Sequence, residues 1–138
     1  MRELWDRAHV TDVPLLYARG VDRRDWGLVR SCFSDDAFVD GTRSTGPVDA
    51  YLAELRPGVE RWAATMHVMA NQLASVEGDR ASLETYAVAF HWAEAPAGTP
   101  HPDNLIVGVR YHDELARQGD RWVITRRVVS GDWQVQGT

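Results

Sequence analysis

The 138-residue chain contains no lysine, and all 15 of its basic residues are arginine. Without lysine there is no amine to form a Schiff base and none to complete a phosphate-binding loop, and no glycine-rich phosphate motif is present. Cysteine is almost as scarce. The single Cys32 excludes an internal disulfide and a cysteine-based zinc site, and its place among apolar residues before Phe33 predicts a buried, unreactive thiol. No apolar run approaches the roughly 20 residues of a membrane span, and the opening MRELWDRAHV lacks the apolar centre of a signal peptide, so the sequence reads as cytoplasmic. Basic runs are missing as well. With a net charge of −5 and a pI near 5.4, a doublet such as Arg126-Arg127 offers no surface for nucleic acid or an anionic membrane.

What the chain does have is a hairpin. From Thr65 to Trp92, two runs rich in Val, Thr, Leu, Tyr and Phe flank Glu77-Gly78-Asp79-Arg80, which is turn chemistry. Each run carries a histidine at its far end, His67 on the first and His91 on the second. An odd-numbered loop centred on Asp79 sets the two histidines opposite each other. A two-residue Gly78-Asp79 turn sends them to opposite faces unless a bulge restores the register. The His91 face of the second run, Ala81, Leu83, Thr85, Ala87, Ala89, is mostly small, whereas Ser82, Glu84, Tyr86, Val88, Phe90 and Trp92 are mostly large. Small residues under a covering layer leave the volume that a ligand pocket needs. The aromatic opposite face predicts self-association.

The length fits one domain, 1–138. Thr11 and Asp12 can cap a first helix carrying Val13, Leu16, Tyr17 and Val21 to about Asp22, with Pro14 in its first turn. A second helix is predicted from Arg24-Asp25-Trp26, with Leu28, Val29, Cys32 and Phe33 on one side, and then a short strand, Ala37–Asp40. Gly41–Gly46 reads as loop. A third helix runs from Val48 to about Arg61 and is interrupted at Pro57-Gly58. After the hairpin, a proline-rich link leads to strands 104–117 and 121–136, joined at Gln118-Gly119-Asp120. Three N-terminal helices followed by sequential strands predict an α+β fold, one curved, mostly antiparallel sheet with the helices over its concave face.

The run Tyr17-Ala-Arg-Gly-Val-Asp22-Arg-Arg-Asp25-Trp26, the segment Cys32-Phe33-Ser-Asp-Asp-Ala-Phe-Val-Asp40, then Thr65-Met-His67 with Asn71, and the ending Gly119-Asp-Arg-Trp122-Val-Ile resemble the SnoaL-like branch of the NTF2-like superfamily over nearly the whole chain. Within that branch the chain is similar to scytalone dehydratases and polyketide cyclases. The resemblance implies a cone-shaped fold and a catalytic set of Asp22, His67 and His91, with Asp22 paired to His91. Two positions depart from the dehydratase pattern: Val21 and Gly41 stand where it has tyrosines that hold a carbonyl-polarising water. Tyr17, Tyr51, Tyr111 and Asn71 are candidate substitutes for substrate binding. Tyr17 and Asp40 also fall near the oxyanion tyrosine and proton-shuttling aspartate of the ketosteroid isomerases.

The chemistry follows from the residue types. A neutral imidazole is a suitable base for a proton beside a carbonyl, and a protonated one can deliver a proton to a departing hydroxyl. A carboxylate fixes the tautomer of its imidazole and supports the charged form. The expected function is therefore cofactor-free dehydration, cyclisation or proton shift on a hydrophobic, cyclic or polyketide-like carbonyl compound. Two histidines and an aspartate are also a metal-ligand set, but no local ligand spacing accompanies them, so no metal is expected. The alternative is a non-catalytic ligand-binding or assembly module, whose interior would be packed and whose aromatic face would be an interface. In either case a homo-oligomer, dimer or trimer, is the expected state.

Overall fold

The computed structural model describes residues Met1–Thr138 as three helices and one curved, six-stranded mixed sheet. The helices are α1 (Arg2–Asp22), α2 (Trp26–Ser31) and α3 (Val48–Glu60). The strands are β1 (Phe33–Asp40), β2 (Thr45–Pro47), β3 (Ala64–Glu77), β4 (Arg80–Trp92), β5 (Leu105–Gln118) and β6 (Arg121–Gln136). In the sheet they run β2-β1-β6-β5-β4-β3. All neighbours are antiparallel except β1 and β6, which pair in parallel. No helix is long and apolar enough to cross a membrane.

Alternation builds the core. Ala81, Leu83, Thr85, Ala87 and Ala89 of β4 are buried, and the residues between them are exposed or half-buried, so one face of the sheet meets the helices. Val10, Val13, Tyr17 and Val21 of α1 pack onto that face together with Leu115, Trp122 and Ile124. Irregular pairing at Met69/Gln72, Gly108/Val109 and Glu114/Leu115 marks bulges, which bend strands and so help a sheet curl around what it covers.

α1 departs from the expected boundaries. It begins at Arg2, and Thr11, the expected cap, lies mid-helix with its hydroxyl donating to the carbonyls of Arg7 and Ala8. Tertiary contacts outweigh the interior Pro14. Arg117 grips both oxygens of buried Asp6 at 2.7 Å and holds that carboxyl down to about 2, and Arg7 donates to the Ala74 carbonyl. Leu16 is exposed, not packed, while Ala18 and Gly20 are buried; Gly20 lies so close to Val29 that α1 and α2 could not approach over a side chain there. α2 ends before Phe33, which starts β1 four residues earlier than expected, and Thr45 and Gly46 of the expected loop join Pro47 to form β2. α3 continues through Pro57 without a break. Cys32 is buried, and burial pushes its thiol up to about 11, as an inert sulfur requires.

Candidate active site

The β3–β4 hairpin turns through Gly78-Asp79, with Glu77 opposite Arg80 and Gly78 at φ 59°. An odd-numbered loop is therefore not what aligns the histidines. Carried along unbroken, this register would place His67 and His91 on opposite faces. A bulge at Ala70-Asn71 corrects it: Gln72 faces Thr85, but Met69 faces Ala87, one extra residue having been accommodated on β3. Beyond the bulge His67 lies opposite Ala89, and His91 opposite Thr65, all toward the helices. The two imidazoles meet nearly edge to face with ring centroids 6.0 Å apart.

Asp22 ends α1 directly beneath His67. Its Oδ1 accepts from His67 Nδ1 at 2.7 Å and from Thr65 Oγ1 at 3.0 Å, and its Oδ2 accepts from the His67 backbone N–H at 2.8 Å. Burial raises the carboxyl pKa, but these hydrogen bonds and the imidazole outweigh it and leave the group below its ordinary value. With Nδ1 donating to a carboxylate, Nε2 of His67 is the free ring nitrogen. Arg24 stabilises the platform from the side. It donates to Thr65 Oγ1 at 2.9 Å and to the carbonyls of Val21, Asp22, Val59 and Trp62, from a backbone at φ 58° that is strained for a non-glycine residue. The expected pairing of Asp22 with His91 is thus replaced by pairing with His67, because the bulge brings His67 over the end of α1.

His91 is backed differently. Its Nδ1 lies 3.1 Å from the Leu105 carbonyl, which can only accept, so Nδ1 carries the proton and Nε2 is a lone-pair acceptor. Burial lowers its pKa; the hydrogen bond to Leu105 opposes this, and the charges of Arg43 and Arg61 and the neighbouring His67 reinforce it. Trp62 packs against the ring at 5.2 Å between centroids.

Both imidazoles line a cavity of about 640 Å³ between the concave sheet face and α3, a volume typical of small-molecule sites. Tyr17, Tyr51 and Tyr111 line it as well, and burial pushes all three phenols above their ordinary value, so they stay protonated as hydrogen-bond donors. Gly41 is what admits Tyr51: a β-carbon at 41 would overlap the Tyr51 ring. Asp22 supports His67 from behind the wall. Two other candidates lie off the cavity. Asn71 is exposed on the bulge, and Asp40, at the end of β1, accepts from Thr45.

Beneath the tyrosines is a group that sequence reasoning missed. Arg127 is 1% exposed and forms a bidentate pair with Asp113 at 2.7 and 2.9 Å. Its guanidinium carbon lies 4.4 Å from the Tyr17 ring centroid and 4.3 Å from that of Tyr111. A signal was available: Asp113 interrupts the apolar alternation Val107, Val109, Tyr111, Leu115, and an acid on a buried face needs a partner.

The model of the SnoaL-like domain family matches residues 2–128. Among solved structures, the Kfla4162 protein of Kribbella flavida is 25% identical, with a TM-score of 0.84 over 96% of this chain and 95% of that one. A candidate scytalone dehydratase of Novosphingobium aromaticivorans is 17% identical, with a TM-score of 0.83 over 97% of this chain and 89% of that one. The hexachlorocyclohexane dehydrochlorinase LinA-type3 of Novosphingobium barchaimii is 20% identical, with a TM-score of 0.78 over 97% and 91%. The last two likenesses show a shared fold.

Proposed function

The chain belongs to the SnoaL-like domain family, and we propose that it is a cofactor-free lyase that eliminates water from a cyclic or polyketide-like carbonyl compound. His67 is the base, Asp22 its charge partner and His91 an orienting acceptor. The observation that carries this reading is the unequal backing of the two imidazoles: a carboxylate behind His67, a neutral carbonyl behind His91. Positive charge arising on His67 is stabilised by Asp22, whereas His91 is held neutral. Two structural neighbours are named for eliminations, a dehydratase and a dehydrochlorinase, which supports lyase chemistry.

In the proposed step Nε2 of His67 takes the proton from the carbon next to the carbonyl. The C–H electrons pass into an enolate whose oxygen takes up the charge. The enolate then re-forms the carbonyl as the Cα–Cβ double bond forms and the β C–O bond breaks, and the departing hydroxide takes the proton back from His67, leaving as water. Tyr17, Tyr51 and Tyr111 donate toward the carbonyl oxygen as it gains charge. A substrate without a leaving group would pass from the same enolate to a proton shift or ring closure. The reading of the chain as a packed assembly module receives less support, because Ala89 and His91 at the far end of the small-residue face of β4 border a cavity, while Ala81, Leu83 and Ala87 of the same face are packed in the core.

The test is turnover of a cyclic β-hydroxy ketone such as 3-hydroxy-1-tetralone with added chelator, following the conjugated product by absorbance. We expect product with the wild type and a loss of about a hundredfold or more in His67→Ala. Equal rates in the two proteins, or activity that vanishes with chelator and returns with iron, would remove the reading.

The outer face supports self-association through a second copy. Tyr86, Met66 and Val68 are exposed there, beside stacked Phe90 and Trp92. A monomer by light scattering at micromolar concentration would argue against it.

A further inference from the structure

The charges on the cavity wall are not balanced. Four charged side chains reach it: Arg43, Glu54, Arg61 and Asp132. Asp132 is neutralised by a bidentate pair with Arg110 at 2.9 and 3.1 Å. Most arginines that contact the folded body are tied down, Arg30, Arg56, Arg110, Arg117 and Arg127 among them by carboxylates. Arg43 and Arg61 meet no carboxylate of the protein. Arg61 follows the last turn of α3 and lies over Trp62, its guanidinium carbon 4.6 Å from the ring centroid, and Trp62 in turn packs on His91. Arg43 sits on the loop between β1 and β2 and lines the same cavity as His91 and Arg61. Glu54, two turns back along α3, pairs with neither. The mouth therefore holds two free guanidiniums against one free carboxylate, a single net positive charge in a protein whose net charge is −5.

We propose that the molecule bound in the cavity carries one carboxylate, held at the mouth by Arg43 and Arg61, while its apolar body lies between the tyrosines and His91. A monoanion matches the net charge of the rim, and a planar guanidinium presents paired donors suited to a carboxylate. Arg61 is exposed with its guanidinium over Trp62, and no carboxylate of the protein takes up its N–H groups. This rests on the reading of the cavity as the substrate site and narrows the substrate class to aromatic or alicyclic acids.

The experiment compares 2-naphthoate with its neutral isostere 2-naphthamide by titration calorimetry on the full chain. The expected result is naphthoate at least about tenfold tighter at low salt, with the preference shrinking as ionic strength rises. Arg43→Gln/Arg61→Gln, both exposed positions that leave the core untouched, should bind the two probes equally while retaining the wild-type affinity for naphthamide. Equal binding by the wild type, a preference that survives in the double variant, or no binding of naphthoate would overturn the proposal. His67→Ala separates the two readings: it should keep the preference for the anion even where elimination is lost. If no elimination is ever found but the preference holds, the lyase reading fails and this one stands.

Discussion

Asp22 takes the ring Nδ1–H of His67 on one carboxylate oxygen at 2.7 Å and that residue's backbone N–H on the other at 2.8 Å. One carboxylate thus sets both where the strand lies and which ring nitrogen is free. Asp22→Asn should retain the placement, since an amide oxygen still accepts one of these bonds, but should lose the charge that supports an imidazolium. Turnover is expected to fall by about 10²- to 10⁴-fold with little change in KM. Steady-state kinetics beside an unchanged circular dichroism spectrum would show this; an Asn variant with wild-type kcat would remove Asp22 from the chemistry.

The bulge gives a sharper test, because its residues have no other assigned task. Asn71 is exposed and off the cavity, so Asn71→Ala should keep turnover within a factor of about two, as surface substitutions generally do. Deleting Asn71 should abolish turnover, because a one-residue change of register turns His67 to the far face of β3. Full activity in the deletion would mean that the histidine faces the cavity without the bulge.

The relation between these two variants also marks what the sequence disclosed. Strand periodicity placed His67 and His91 on a hairpin, and the small face of β4 pointed to volume beneath them. The alternation of one strand determines which of its residues share a face, but relating one strand to the next requires the register. Two consecutive exposed residues, Ala70 and Asn71, break the alternation of β3, and nothing in their chemistry announces a bulge. The pairing of Asp22 with His67 instead of His91 depended on that same step. The start of α1 was hidden for another reason: its first half is held by Arg117 and Trp122, more than 100 positions away, rather than by an apolar stripe of its own. The parallel pairing of β1 with β6 is likewise long-range.

His91 leads to a prediction about pH. Burial, opposed by its bond to Leu105, leaves its pKa below the ordinary 6.5. Between 6.5 and that lower value the unfolded chain binds a proton at this position and the folded chain does not, so stability rises with pH across the window and is lost as pH falls through it. Asp22, depressed below 3.8, acts in the same direction at more acid pH, contributing stability that disappears as its carboxylate is protonated. Urea midpoints measured from pH 7.5 to 5 should therefore fall more steeply for the wild type than for His91→Gln. In NMR the His91 ring should titrate below 6.5; a resonance titrating above it would contradict the buried neutral state.

The final prediction concerns Arg127 and Asp113, where stability and function can be separated. Burying both charges costs several kcal/mol in desolvation, recovered only while each has the other. Removing one partner leaves an uncompensated charge in the core, so Asp113→Leu and Arg127→Met should each cost about 3–5 kcal/mol. Asp113→Leu/Arg127→Met together should cost much less than the sum, with a coupling of about 2 kcal/mol or more in the double-mutant cycle. One nitrogen of Arg127, Nη1, has no hydrogen-bond acceptor, and the rings of Tyr17 and Tyr111 against the guanidinium offset part of that deficit. Tyr17→Phe and Tyr111→Phe keep those ring faces and should be nearly neutral in urea denaturation, while Tyr17→Leu should be clearly destabilising. If the hydroxyls serve the carbonyl of a substrate, the same Phe variants should lower kcat, by about tenfold or more for a lost donor to a developing oxyanion. A Phe variant that loses stability but not kcat would reverse the assignment, making the hydroxyls structural and leaving the oxyanion to another donor.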